Sequence, residues 1–275
     1  MSDATHNNGP RRLIIHCGVQ KTATTAFHHF VQKNRGDLPG NLEILTPQKG
    51  TLTREVGRLC GLYSLEPRHK DQLGQQLSNL RHDLLQASGT CVISHENIPG
   101  AMLGRAGVTT LYPMFESIIA ILQEHLAPML PEFVVYTRDM PSWKASVYNQ
   151  AVKSDGYSKS YNEFLTETAD CGSWASLLAR IEKNVGQSRV RFFNLEDEED
   201  ASRPGSQLLR HVGLSQRQIL NMSPVSGRRN ESLNTGSLEF QRLLNSLDLP
   251  KTVLRPVRRL VQTNQSLFAK GEGAS

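Results

Sequence analysis

The chain has 275 residues, 38% hydrophobic and 21% charged, enough apolar mass for one α/β domain of ordinary size with a true core. A net charge of +5 suits anionic ligands, but there is no zinc-finger spacing, aromatic RNP-like strand or long Lys/Arg run to support nucleic-acid binding. No apolar run is long enough to span a bilayer. The four cysteines (Cys17, Cys60, Cys91, Cys171) show neither CxxC nor paired spacing, which argues against a metal finger or disulfide framework and for a reducing, cytoplasmic setting.

In chain order, residues 1–12, "MSDATHNNGPRR", are polar, lack the apolar core of a signal peptide and read as a disordered start; residues 13–275 read as a single domain. A strand is expected over Leu13–Cys17, a helix over Thr24–Asn34 and a weaker strand over Leu42–Leu45. Residues 46–70 are candidates for acceptor contacts. A helix over Lys70–Ala87, a strand over Thr90–Ser94, a helix over Thr109–Leu126, a strand over Phe133–Thr137 and a helix over Ser142–Lys153 come next. Residues 153–174 read either as a lid over an acceptor pocket or as a surface connection with one short helix near Tyr161–Thr168. A helix over Trp174–Asn184 and a strand over Val190–Asn194 complete the alternation. The last third is mostly helical, with Gln207–Val212, Leu238–Leu247 and a basic tail over Val257–Phe268.

The four main strands are nearly continuous in apolar character, as when helices cover both faces of a parallel sheet. The fold class is therefore α/β, a doubly wound, mainly parallel sheet flanked by helices, similar to P-loop NTPases, with a mostly helical C-terminal third. In such sheets ligands bind beyond the carboxyl ends of the strands, so the residues after each strand are where chemistry is sought.

After the first strand comes "HCGVQKTATT". Gly18 permits a tight turn, and Gln20–Thr25 leads into a helix N-terminus whose free N–H groups and dipole favour an anion. Lys21 adds a full charge, and Thr22, Thr24 and Thr25 add hydroxyls. The plainer reading is a strand–turn–helix with a threonine N-cap. A Walker A loop requires glycine before the lysine; Gln20 stands there instead, and no strand ends in a clear magnesium-binding aspartate. The third main strand ends in "YTRDMPSWKASVYNQ", in which Arg138 offers a bidentate fork and Ser146, eight residues later, a neutral donor. The plainer reading there is a surface ion pair Arg138–Asp139 and a serine that fills a helix.

Together "KTATT" and the Arg138-to-Ser146 spacing resemble the paired signatures of the PAPS-dependent sulfotransferases, nearer to the bacterial and Golgi-type branch than to the cytosolic phenol and steroid enzymes. "SGRRNESLN" (226–234) resembles that family's late basic loop. The resemblance implies that Lys21, Thr22, Ala23, Thr24 and Thr25 hold the 5′-phosphosulfate of 3′-phosphoadenosine-5′-phosphosulfate (PAPS). Lys21 would also contact the bridging oxygen of the leaving group. Arg138 and Ser146, with Arg228, Arg229 and Asn230, would hold the 3′-phosphate, and no metal is required. Ala23 departs from the family's usual glycine, which is harmless unless that position needs a positive φ.

The second main strand ends in "CVISHENIPG", placing His95 and Glu96 at the carboxyl edge as candidates for the base that deprotonates an acceptor hydroxyl. Glu96 is preferred, with His95 as its neighbour; the plainer reading makes Glu96 a turn cap and His95 a packed edge residue. His28 and His29 read as helix-surface or packing residues. The basic tail places Val253, Val257, Leu260 and Val261 on roughly one helical face, read as a docked C-terminal helix with membrane-surface contact as the alternative. The expected partners are PAPS and a hydroxyl-bearing acceptor, with carbohydrate, lipid headgroup, small metabolite and amine all left open. The rival functions are a P-loop-type nucleotide kinase and a non-catalytic nucleotide-binding protein on the same fold.

Overall fold

A computed structural model describes residues 11–226, 232–247 and 249–269. The expectations for residues 1–10 and for Arg228, Arg229 and Asn230 lie outside the described residues. The contacts divide the chain into two compact units. The first comprises Met1–Ala101, Tyr112–Arg138 and Ser173–Arg229; the second comprises Met102–Leu111, Asp139–Gly172 and Asn230–Ser275.

The first unit carries a five-stranded parallel sheet: β1 (Arg12–Gly18), β2 (Leu42–Leu45), β3 (Thr90–Ser94), β4 (Glu132–Thr137) and β5 (Val190–Asn194), in the order β2-β3-β1-β4-β5. Every pairing among the described residues is parallel, as the unbroken apolar runs require of strands buried on both faces. The first strand begins one residue before the expected start. The Arg12 N–H donates to the Gly89 carbonyl at 3.0 Å, and its guanidinium meets Glu132 at 2.8 Å. Arg11 is likewise tied down, donating to the Leu84 carbonyl at 3.1 Å and pairing with Glu43. Residues 11 and 12 thus belong to the folded chain, because partners exist for their polar groups.

Helices α1 (Thr24–Lys33), α2 (Leu52–Tyr63), α3 (Lys70–Leu85), α4 (Phe115–Leu126), α7 (Trp174–Val185), α8 (Ser206–His211) and α9 (Gln216–Asn221) complete this unit. Phe27, Phe30 and Val31 of α1 join Leu208 and Leu209 of α8 and Ile219 of α9 in one core cluster. That cluster takes Ile14, Val92, Val134 and Tyr136 from the sheet. Strand alternation sends Ile15, Ile93, Phe133 and Val135, all buried, to the opposite face. Residues 46–70, read from sequence only as candidate acceptor contacts, contain α2: its Thr51 N-cap accepts the Arg54 N–H at 3.3 Å, and Val56, Leu59, Cys60 and Tyr63 are buried. The helix expected from Thr109 begins only at Phe115, because Tyr112 holds a left-handed φ of 45° and Pro113 comes next.

The second unit contains α5 (Met140–Gln150), α6 (Tyr161–Glu167), α10 (Thr235–Ser246) and α11 (Lys251–Thr263). Helix α5 runs on through a π-turn at Ala151–Asp155, so the expected helix to Lys153 is met by a change of hydrogen-bond pattern. Of the two readings of 153–174, the short helix is present: Tyr148, Tyr157, Tyr161 and Phe164 form one aromatic cluster, with Tyr148 and Tyr161 ring centroids 5.1 Å apart. Asn149 accepts the Leu233 N–H and donates to its carbonyl, at 3.1 and 3.0 Å. All four cysteines are buried free thiols, and burial pushes Cys60 and Cys91 up to about 12. Among the described residues no helix is long and apolar enough to cross a membrane.

One buried hydrogen-bond network ties the β4 tip to the segment between β5 and α8. The Tyr136 hydroxyl donates to Glu198 Oε1 at 2.6 Å and accepts the Leu208 N–H at 3.1 Å, while Glu198 also accepts the N–H groups of Ser206 and Gln207 at the α8 N-terminus. Tyr136→Phe should lower unfolding stability by about 1–3 kcal/mol, since it leaves the buried Leu208 N–H without its acceptor and removes one of the two hydrogen bonds on Glu198 Oε1. Urea unfolding checks this, with an unchanged midpoint counting against the role of the bond.

Candidate functional site

The loop after β1 turns into α1 through two left-handed residues. Lys21 and Ala23 both have left-handed φ values, 72° and 62°, while the residues between and beside them do not. Alternation of hand along successive residues is the backbone pattern of anion-binding nests, and here the Thr22 N–H between the two itself donates to the Val19 carbonyl at 3.3 Å. Ala23 is the N-cap of α1 and supplies no side-chain cap, so the first-turn N–H groups of Thr24, Thr25 and Ala26 have no acceptor inside the helix. The plainer reading, a threonine N-cap, is therefore not what the chain does. Ala23 also meets the condition under which the departure from glycine matters: the position requires positive φ, and alanine holds it at a cost of about 1–2 kcal/mol.

The threonines divide by environment. The Thr22 hydroxyl turns inward and donates to the Val19 carbonyl at 2.7 Å, so it fixes the loop rather than facing a ligand. Thr24 Oγ1 is buried and has no hydrogen-bond partner. A Cβ at Gly18 would collide with that same oxygen and lie 3.1 Å from His16 Nε2, so the strand tip approaches the helix closely because residue 18 lacks a side chain. Thr25 and Lys21 are half-buried at the mouth of the loop.

Gln20, which stands where a Walker loop has glycine, is a brace. Its amide donates to Asn97 Oδ1 at 3.3 Å and the Gly100 carbonyl at 3.0 Å, and its Oε1 accepts the Tyr112 hydroxyl at 2.8 Å. The loop after β1 is thus locked to the loop after β3. Sequence reasoning saw Gln20 only as a missing glycine; a half-buried amide between two strand-end loops has no sequence signature.

Parity along β3 sorts the next residues. Ser94 points to the α1 face, where its Oγ lies 2.7 Å from His16 Nδ1 and 2.8 Å from His28 Nε2. One hydroxyl proton serves two imidazoles, so Ser94 donates to one ring and accepts an N–H from the other. His28, read from sequence as a packing residue, is buried and hydrogen-bonded in this chain. Burial holds both His16 and His28 down to about 3, so both are neutral.

His95 points the other way, and the ladder reaches it: its N–H donates to the His16 carbonyl at 3.2 Å. Its ring lies where a Cβ on Gly57 of α2 would be. The Asn97 N–H donates to His95 Nδ1 at 3.0 Å, so the neutral ring carries its proton on Nε2. Burial lowers the pKa of His95, Arg54 adding to the effect and Glu96 opposing it. In that tautomer His95 is a donor. Its Nδ1 stands 3.9 Å from Glu96 Oε2, which is no ion pair while the ring is neutral.

Glu96 begins the turn after the strand. Its side chain is about one-third exposed, and Oε2 is buried without a hydrogen-bond partner. A carboxylate with an uncommitted oxygen beside a basic loop can accept a proton, whereas His95 as held cannot.

Arg138 comes directly after β4; its carbonyl accepts the Trp174 indole N–H at 2.7 Å and its Nε lies 4.0 Å from Glu196 Oε1. Ser146 is half-buried on α5, in the other compact unit, and Asp139 caps that helix by accepting the Ser142 N–H at 3.0 Å. Among the described residues no group of three or more His, Cys, Asp or Glu side chains is arranged to hold a metal ion.

No family model matches the chain, and no curated protein matches it. Among solved structures, it is similar to a sulfotransferase from Alicyclobacillus acidocaldarius at 12% identity and a TM-score of 0.45, over 90% of this chain and 100% of that one.

This geometry has two measurable outcomes. Ala23→Gly should relieve the left-handed strain net of glycine's unfolded-state entropy, a gain of about 0.5 kcal/mol or 1–2 °C in melting temperature, whereas Ala23→Val should melt lower than the parent. The second concerns acid. His16 and His28 have folded values near 3 against an ordinary 6.5, so the unfolded chain binds more protons between those values. Their contribution is complete above pH 6.5 and is lost as the pH falls toward 3, each histidine steepening the decline by up to about 1.4 kcal/mol per pH unit. Stability measured by urea from pH 7 to 4 should decline less steeply in His28→Gln; an unchanged slope would show that His28 is not held neutral.

Proposed function

We propose that this protein is a PAPS-dependent sulfotransferase that transfers a sulfuryl group to an acceptor hydroxyl in the cytoplasm. The observation that carries the reading is one edge of the sheet where a left-handed loop and an uncapped helix N-terminus meet a carboxylate with an unpartnered oxygen. The loop offers backbone donors and Lys21 for an anion; Glu96 on the adjacent strand end offers a proton acceptor. The choice of PAPS over other phosphorylated donors rests on the "KTATT" and Arg138-to-Ser146 spacings.

In this reading the N–H groups of Thr24 and Thr25 and the Thr24 hydroxyl, buried and otherwise unpaired, bind the 5′-phosphate side of the donor. Lys21 stabilises the charge that grows on the leaving phosphate as the sulfur–oxygen bridge breaks. Glu96 takes the acceptor's proton as the new oxygen–sulfur bond forms, and 3′-phosphoadenosine 5′-phosphate departs. His95, Nε2 protonated and packed on Gly57, holds Asn97 and so the turn that presents Glu96. Arg138 and Ser146, with Arg228, Arg229 and Asn230, are assigned to the 3′-phosphate by the sequence resemblance.

The test has two arms. Calorimetry should find 3′-phosphoadenosine 5′-phosphate bound far more tightly than AMP, with Arg138→Ala costing the bisphosphate about 2–4 kcal/mol and AMP almost nothing. Incubation with PAPS and metabolite pools, read by mass spectrometry, should show an added sulfo group. In Glu96→Gln that product should form about a hundredfold or more slowly at unchanged nucleotide affinity. Equal affinity for the two nucleotides would remove the second motif from the site, and normal turnover in Glu96→Gln would remove the base.

A further inference from the structure

Nine large hydrophobic side chains stand exposed among the described residues, and six of them fall between residues 240 and 267: Phe240, Leu243, Leu247, Val253, Leu260 and Leu267. Scattered surface hydrophobes need no explanation, but such a concentration marks an interaction surface. Phe240 and Leu243 on α10 and Leu247 at its C-cap lie at i, i+3 and i+7, on one side; the helix's buried residues, Ser237 and Gln241, are elsewhere on the wheel. On α11 Val253 and Leu260 are seven residues apart, on one side. The four apolar residues expected on one docked face are therefore split by burial: Val261 is buried at 2% exposure and Val257 half-buried, while Val253 and Leu260 are 45% and 62% exposed. The helix docks by one edge of its apolar arc and leaves the other in water. Its terminal turn adds Leu267, next to Phe268, whose ring meets Phe240 at 5.0 Å.

The charge on α11 is of one sign. The α11 sequence, "KTVLRPVRRLVQT", has four cations (Lys251, Arg255, Arg258, Arg259) and no acid. Arg258 is engaged inside its own unit, donating to Asn245 Oδ1 at 2.9 Å, but Arg255 and Arg259, one turn apart, are exposed. On α10 the acidic Glu239 is already paired with Arg242 at 2.5 Å. An exposed apolar stripe bordered by arginines, on a helix of about 20 Å that is too short to span a bilayer, matches the physics of a helix lying in a membrane interface.

We infer that α10 and α11 rest on an anionic lipid surface, with Leu243, Leu247, Val253 and Leu260 entering the acyl boundary and Arg255 and Arg259 at the phosphate headgroups. This inference stands independently of the transferase reading, since none of these residues belongs to the candidate site.

Flotation of the full chain with vesicles tests it, using phosphatidylcholine alone and phosphatidylcholine mixed with phosphatidylglycerol. The protein should float with the mixed vesicles, remain below with the neutral ones, and lose binding as salt rises. Arg255→Gln with Arg259→Gln should lower partitioning about thirtyfold, and Leu243→Ser with Leu260→Ser by about tenfold or more. These are surface changes, and circular dichroism melting verifies that each variant is folded. Failure to float with the mixed vesicles, equal flotation with both kinds, or parent-like flotation of both double variants would overturn the inference. So would a dimer in light scattering that Leu243→Ser with Leu260→Ser dissociates, because the stripe would then be covered by a second copy.

Discussion

The close approach of β1 to α1 at Gly18 is the constraint on which the candidate site depends. With no Cβ at residue 18, the strand tip can run against the first turn of the helix, and Thr24 Oγ1 and His16 Nε2 occupy the space a side chain would have taken. The chain must then turn back within a few residues, and it does so by placing Lys21 and Ala23 in left-handed conformations. The N–H groups freed by that turn are the ones available to an anion. Because β1 is paired to β3 on one side and β4 on the other, the residues just after those strands are delivered to the same edge.

The edge is held by polar groups whose roles differ although their sequence neighbourhoods are similar. Ser94, His95 and Glu96 are consecutive, yet one joins a buried histidine chain, one packs on α2 and one begins an open turn. Strand parity explains the first two, and the end of the ladder at His95 explains the third. Neutral, buried histidines at this edge keep positive charge away from the β1–α1 junction, so the cation presented there by side chains is Lys21 rather than an imidazolium. Gln20 adds rigidity by fastening one strand-end loop to another.

The second unit is built on other terms. Its aromatic cluster and the Asn149 clamp on Leu233 give it a small interior, and its two C-terminal helices leave apolar surface outside. A helix with its apolar arc half docked is a compromise between burying Val261 and leaving Leu260 for something else. The concentration of arginine on the same helix fits a negatively charged something.

The sequence by itself determined the sheet. All five strands were legible, three of them to the residue (Leu42–Leu45, Thr90–Ser94 and Val190–Asn194): the central strands β1, β3 and β4 are unbroken apolar runs because both their faces are buried, while the partly buried edge strands β2 and β5, which carry Glu43 and Arg191, stood out by their branched aliphatic and aromatic residues. It also determined that Lys21, His95 and Glu96 share one edge, since parallel strands put their carboxyl ends together. Helix starts were less legible where a local conformation intervened, as at Tyr112, and α2 was missed although Val56, Leu59, Cys60 and Tyr63 keep the helical spacing i, i+3, i+4 and i+7. Only the tertiary structure decided the conformation and the partners of each candidate. The tautomer of His95 depends on the Asn97 N–H, the inward turn of Thr22 on the Val19 carbonyl, and the strain at Ala23 on a loop geometry fixed by Gln20, Asn97 and Gly100. These are contacts between groups with no sequence period, and a hydrogen bond's direction is settled by the group the fold places at its other end.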